Sequence, residues 1–270
     1  MNEYWIPLTL INNFFIKPDK IIMDAGLKYR FIDHWKKYFG SAELPITFYY
    51  SYNDDSAAKF ISREKWHCFI CDLSKVRKGE SIAFDFESLG CNGAKRYLGF
   101  THKLSPDFQY FLSCGIPGKL EGERYLKNPE LVKEWMNKHE PIQGKEGKYI
   151  IFKRWDKLNE KDKPEVIIFF AKPDVLSGLF TLANFDQAKT DSTIAPFGAG
   201  CGSIVHYPYL EKDRERPRAV LGMFDPSARP CVQDNILTFA VPMAKFESMV
   251  NNMEESFLIT DSWKEVSRRI

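Results

Sequence analysis

Two hydrophobic rhythms organise this chain. Over residues 18–39, Ile21, Ile22, Ala25, Ile32, Trp35 and Phe39 recur at spacings of three and four or their sums, which predicts a helix stopped by Gly40. Residues 45–51 then form a β-branched and aromatic strand. Ser62 is placed to cap a helix over 62–78, with an apolar stripe of Trp66, Phe69, Ile70, Leu73 and Val76 and Gly79 as its end. A strand over 81–86, the turn Gly90-Cys91-Asn92-Gly93, a short helix over 94–100 and a strand over 108–112 follow. Pro129 stands at the first position of a helix over 130–137. Beyond residue 147 the pattern predicts strands over 148–155 and 165–171 and a helix capped by Asp174 over 174–183. A strand over 192–195, a glycine turn over 198–202 and a strand over 218–224 come next. A helix opened by Pro242 and a short helix over 263–269 close the chain.

The order of elements recurs. Cys201 lies 110 residues after Cys91, and Arg218 lies 110 after Phe108. The strands at Ile46 and Val166 are offset by 120. This register predicts an internal pseudo-duplication with halves 45–140 and 164–255, preceded by the helix 18–39. The stretch 139–148, with Pro141, Gly144 and Gly147, links the halves. Neither half holds a complete strand set, so residues 1–270 are expected to form a single domain. The expected class is α/β, in the looser sense α+β: a mixed sheet with helices built from two related halves.

Composition narrows the function. The chain has 270 residues, of which 44% are hydrophobic, enough to bury a sizeable core. Its 38 basic and 36 acidic residues leave a net charge of +2, far from the excess of a dedicated nucleic-acid binder. No apolar stretch approaches the roughly 18 residues of a membrane span. Residues 1–15 lack a basic leader and carry Glu3, so a cytoplasmic protein is expected. Six cysteines are too few for a disulfide scaffold in a chain of this size.

The candidate chemistry centres on Gly198-Ala199-Gly200-Cys201-Gly202-Ser203. Gly198, Gly200 and Gly202 permit close backbone approach and positive φ. If Ser203 opens a helix, Cys201 sits at its N-terminus, where the dipole and free N–H groups would favour a thiolate or hold an anion. The other reading is a tight packing turn around an inert buried thiol. Cys91 takes the matching place in the first half, so Cys91 and Cys201 could meet in one crevice as thiolate ligands of a metal or iron–sulfur cluster. Cys68, Cys114, His67 or His206 would complete such a site. Cys68-Phe69-Ile70-Cys71 matches C-x-x-C but falls inside the helix expected over 62–78, unlike a thioredoxin-type motif. In Asp225-Pro226-Ser227-Ala228-Arg229, Asp225 can form an Asx turn, and Arg229 can either meet an anion or pair with Asp225. No hydrolase triad, zinc-protease motif or dinucleotide fingerprint is present.

Several of these blocks resemble one family. They are Pro164-Glu165-Val166-Ile167-Ile168-Phe169-Phe170, Ala195-Pro196-Phe197-Gly198-Ala199-Gly200-Cys201, Asp225-Pro226-Ser227-Ala228-Arg229 and Leu237-Thr238-Phe239-Ala240-Val241-Pro242. Together with Gly90-Cys91-Asn92-Gly93 they look like the prokaryotic ArCR family, also called domain of unknown function 169. The resemblance covers the chain from about residue 20 and implies a cytoplasmic prokaryotic protein. It supplies no activity, cofactor or catalytic residue.

Three functional classes remain. The first is an enzyme or redox-related protein that binds a small anionic ligand or metal cofactor between its halves. Cys201 would be its catalytic thiolate and Cys91 the second thiolate. Gly198, Gly200, Gly202 and Ser203 would form the anion cradle, with Asp225 and Arg229 beside it. The second is a non-catalytic small-molecule-binding or sensing module using the same turns. The third is an interaction protein whose aromatic surface builds a homo-oligomer. Neither nucleic acid nor membrane is an expected partner.

Overall fold

The computed structural model describes residues 24–54, 57–60, 67–143, 145 and 147–270. The strands are β1 Ile46–Ser51, β2 Ala58–Lys59, β3 Ile82–Phe84, β4 Tyr149–Arg154, β5 Val166–Ala171, β6 Thr193–Ile194, β7 Ala219–Gly222 and β8 Leu237–Pro242. The helices are α1 Ala25–Phe39, α2 Phe69–Arg77, α3 Asn92–Tyr97, α4 Phe108–Phe111, α5 Pro129–Asn137, α6 Pro173–Asn184, α7 Tyr207–Glu211, α8 Met243–Asn252 and α9 Asp261–Ser267. The strands make one mixed α/β sheet in the order β2-β3-β4-β1-β5-β8-β7-β6. The two outermost pairs are parallel and the five inner pairings antiparallel.

Alternation along the central strands explains the layers. Ile46, Phe48 and Tyr50 of β1 and Val166, Ile168 and Phe170 of β5 point to one face, where α2, α3 and α7 pack. Ile167, Phe169 and Ala171 point to the other, under α1, α6, α8 and α9. With both faces covered, the central strands read as unbroken apolar runs. Among the described residues no helix is long and apolar enough to cross a membrane.

Several expectations change. The helix expected over 18–39 is described from Ala25, capped by the Asp24 carboxylate on the Gly26 and Leu27 amides; residues 18–23 lie outside the described residues. Ser62 also lies outside them, and α2 starts at Phe69 with Cys68 as its N-cap. The strand expected over 108–112 is instead the helical turn α4, Phe108–Phe111, with Leu112 as its C-cap. Asp107 at φ +60° turns the chain, and the Phe111 amide bonds back to the Asp107 carbonyl, so aromatic β propensity yields to local hydrogen bonding. Asp174 sits in the first turn of α6, and Lys172 takes the cap position. Pro242 ends β8 and is the N-cap of α8.

The sheet reads alike from its two edges, but not in the register of the sequence match. That match set β3 against β6, whereas β6 is an edge strand and β3 lies one strand in from the opposite edge.

Candidate functional site

Both glycine turns lie on the face that carries α2, α3 and α7. The second opens a helical segment that passes through a π turn over Gly202–His206 into α7. Such turns widen a helix by one residue and are frequent at functional sites. None of Gly198, Gly200 and Gly202 uses the positive φ that glycine permits. Their use is close approach. A Cβ on Gly200 would lie 2.7 Å from the Ala228 methyl, and one on Gly202 3.2 Å from the Tyr97 ring. Tyr97 ends α3, the helix that leaves the first turn with Cys91 as its N-cap. The two turns are therefore brought together, with α3 packed against the π turn.

The expected anion cradle is already filled from within. The Gly200 amide donates to Asp225 Oδ2 at 2.9 Å. Asp225 Oδ1 accepts from the Ser227 amide at 3.0 Å, the Ser227 hydroxyl at 2.8 Å and the Tyr125 hydroxyl at 3.2 Å. The first of these is the expected Asx turn. Ser203 Oγ donates to the Gly200 carbonyl and accepts from the Met223 amide. Among the described residues, Arg229 does not pair with Asp225. Its guanidinium donates to the carbonyls of Gln233, Asp234 and Ile236 and pins the following loop.

Five of the six cysteines gather beside these turns. Cys71 and Cys231 form a disulfide with Cα atoms 4.6 Å apart, a bond that cysteine content alone argued against. Cys68 and Cys91 pack on the core cluster that contains Cys201. The thiols of Cys68, Cys91 and Cys201 lie within electrostatic reach of one another and of Asp225. Burial pushes the Cys201 thiol well above its ordinary range, and the Cys91, Cys68 and Asp225 charges add to the rise. The expectation of a helix-stabilised thiolate is thus reversed, because desolvation outweighs the helix end. Burial also raises Cys68, opposed by the backbone N–H groups of Ile70 and Cys71.

The residues suggested to complete a metal cage do not join it. Cys114 is exposed, with its sulfur against Ser113 and Gly115. His67 pairs with Asp72 at 3.1 Å. Among the described residues no group of three or more His, Cys, Asp or Glu side chains is placed to hold a metal ion.

His206 belongs to a neighbouring aromatic nest. Its ring stacks on His139 with centroids 4.4 Å apart, and Tyr97 meets both rings edge-on. His139 Nδ1 lies 3.3 Å from the Tyr207 hydroxyl, while among the described residues both His206 nitrogens and His139 Nε2 are buried without a hydrogen bond of normal geometry. Burial lowers His139 to about 4 and His206 to about 3; the Glu140 backbone favours a proton on His206 but is outweighed. Sequence spacing could not pair residues 67 positions apart.

A cavity of about 220 Å³ lies elsewhere, between α1, β5 and the 233–236 loop, and no cysteine lines it. Arg77 borders it, bonded by two nitrogens to Glu43 at 2.7 Å each and stacked on Phe170.

No curated protein and no solved structure matches this chain. A profile of the uncharacterised ArCR proteins, domain of unknown function 169, matches residues 36–252. The chain with the paired glycine–cysteine turns therefore belongs to the uncharacterised ArCR family.

Proposed function

We propose that this protein acts through thiol–disulfide redox chemistry at the cysteine centre between its two turns. The observation that carries the reading is the convergence of one disulfide, Cys71–Cys231, with three free thiols, Cys68, Cys91 and Cys201. A structural cross-link needs no ring of spare thiols. A soft cation would also draw such thiols, but no three-ligand cage is formed among the described residues. The anion-binding version loses its donors, because Asp225 and the 233–236 carbonyls hold them. A cytoplasmic location fits the reading, since disulfides there are rare and mostly transient or catalytic. The partner is then a dithiol or disulfide, small or protein-borne.

Anaerobic purification, metal analysis and differential alkylation across a series of redox buffers test this. Cys71–Cys231 should interconvert with its dithiol between about −180 and −300 mV. A bond that stays oxidised below that window is a structural staple and ends the redox reading. Stoichiometric iron or zinc with metal-blocked thiols would replace it with the metal-cofactor reading.

A further inference from the structure

We propose that Cys68 is the thiol that attacks the Cys71–Cys231 bond, and that moving this bond into the C-x-x-C pair unlatches the 225–231 loop from Cys201. The inference rests on the redox reading and names its order of events.

The geometry begins at α2. Cys68 is the N-cap of this nine-residue helix and Cys71 its third residue. Side chains at those two positions are neighbours on the first turn, as in a capping box. The Cys71 amide donates to the Cys68 carbonyl at 3.0 Å. The backbone of Ile70 and Cys71 favours the Cys68 anion, although burial raises the thiol more. The sequence reading placed the motif mid-helix; the structure puts it at a helix start, the setting that suits exchange.

The second element is the loop that ends at Cys231. It packs against the turn that carries Cys201, which is 8% exposed and shares a buried cluster with Ala228 of the loop. Three holds keep it there. Asp225 caps the Gly200 amide. Ala228, buried, fills the space that a Cβ on Gly200 would need. Cys231 is tied to Cys71. Arg229 stiffens the chain beyond the loop by bonding to carbonyls at 233, 234 and 236, so it does not tie the loop to α2. The disulfide is the covalent latch among the three.

The exchange balances internally. Cys68 releases its proton to solvent, and its sulfur attacks Cys71 Sγ. The Cys68–Cys71 bond forms as the Cys71–Cys231 bond breaks, and Cys231 leaves as a thiolate that takes up a proton. No electrons are gained or lost. A dithiol reductant then reduces Cys68–Cys71 to two thiols and is itself oxidised to a disulfide. With the latch open, Cys201 becomes accessible to a partner.

The test uses the full chain, wild type and as Cys68→Ser, Cys68→Ala and Cys231→Ser. Each is oxidised with oxidised glutathione and exposed to dithiothreitol. Samples are acid-quenched and alkylated, then mapped by mass spectrometry. Oxidised Cys231→Ser should carry a Cys68–Cys71 bond. Both Cys68 variants should lose Cys71–Cys231 about tenfold more slowly than wild type, because the intramolecular thiol is gone. In wild type, Cys201 alkylation should rise in step with loss of Cys71–Cys231. Equal rates in wild type and both Cys68 variants overturn the relay while leaving the redox reading intact. Cys201 labelling that is independent of the bond overturns the latch. If oxidised wild type never contains Cys71–Cys231, the redox reading falls as well.

Discussion

Two buried polar regions lie on opposite faces of one sheet and are built on opposite terms. Behind β1 and β4, the Lys153 ammonium, 1% exposed, meets both oxygens of Asp162 at 2.8 and 2.9 Å. Asp162 also accepts from the Tyr49 hydroxyl and the Asn159 amide. Every charge there has an opposite charge or a donor. On the other face, among the described residues His206, 2% exposed, has no hydrogen bond of normal geometry on either ring nitrogen, and Cys201 is held as a neutral thiol by desolvation. Buried polar groups that are satisfied stabilise a fold, whereas unsatisfied ones cost stability and mark where something else is being served. The first region is architecture, and the second carries the candidate chemistry.

The largest effect should come from breaking the saturated side. Asp162→Ala strands a buried ammonium and should cost about 3–5 kcal/mol, read from the urea midpoint. Replacing both partners with apolar residues, Lys153→Met with Asp162→Leu, should recover much of that loss. A double variant as unstable as the single one would show that the pair itself is indispensable.

The unsatisfied side should reveal itself through pH. In the unfolded chain the histidines protonate near about 6.5, whereas in the fold His139 and His206 stay neutral down to about 4 and about 3. The unfolded state binds more protons between those values, so stability is full above about 6.5 and falls as pH drops toward about 3. His206→Phe should gain about 2 kcal/mol relative to wild type at pH 5 beyond any change at pH 8. Parallel stability–pH curves for the two proteins would remove His206 from the account.

The smallest effect belongs to the contact that joins turn and loop. Asp225→Ala strips acceptors from the Gly200 and Ser227 amides and should cost about 1–2 kcal/mol. It should also speed alkylation of Cys201 in the oxidised protein. An unchanged labelling rate would mean that Asp225 holds its own loop but does not help close the site.

How far the sequence reaches can be judged from particular elements. β1, β5 and α5 were legible because apolar period and the Asn128-Pro129 start agree with the final packing. β8 escaped notice although Leu237 to Pro242 runs beside β5, because Pro242 was read as the opening of the following helix. α4 was misread because aromatic residues suggest a strand, whereas here Phe111 and Leu112 close helical hydrogen bonds onto Asp107 and Phe108. Cys91 and Cys201 were legible as paired features of two turns. Cys231 was not, because its partner lies 160 residues away and no local rule links them.

By itself, the sequence determined the apolar strands and stripes, the two glycine–cysteine turns and the family. These follow from local periodicity, turn chemistry and residue type. The tertiary structure alone decided that Asp225 fills the helix end expected to bind an anion, and that Cys68 opens α2 rather than lying inside it. It also decided that Cys201 is too desolvated to rest as a thiolate. Those outcomes depend on which loops cover which helix ends and how much water they exclude, and both are set by contacts between residues far apart in the chain.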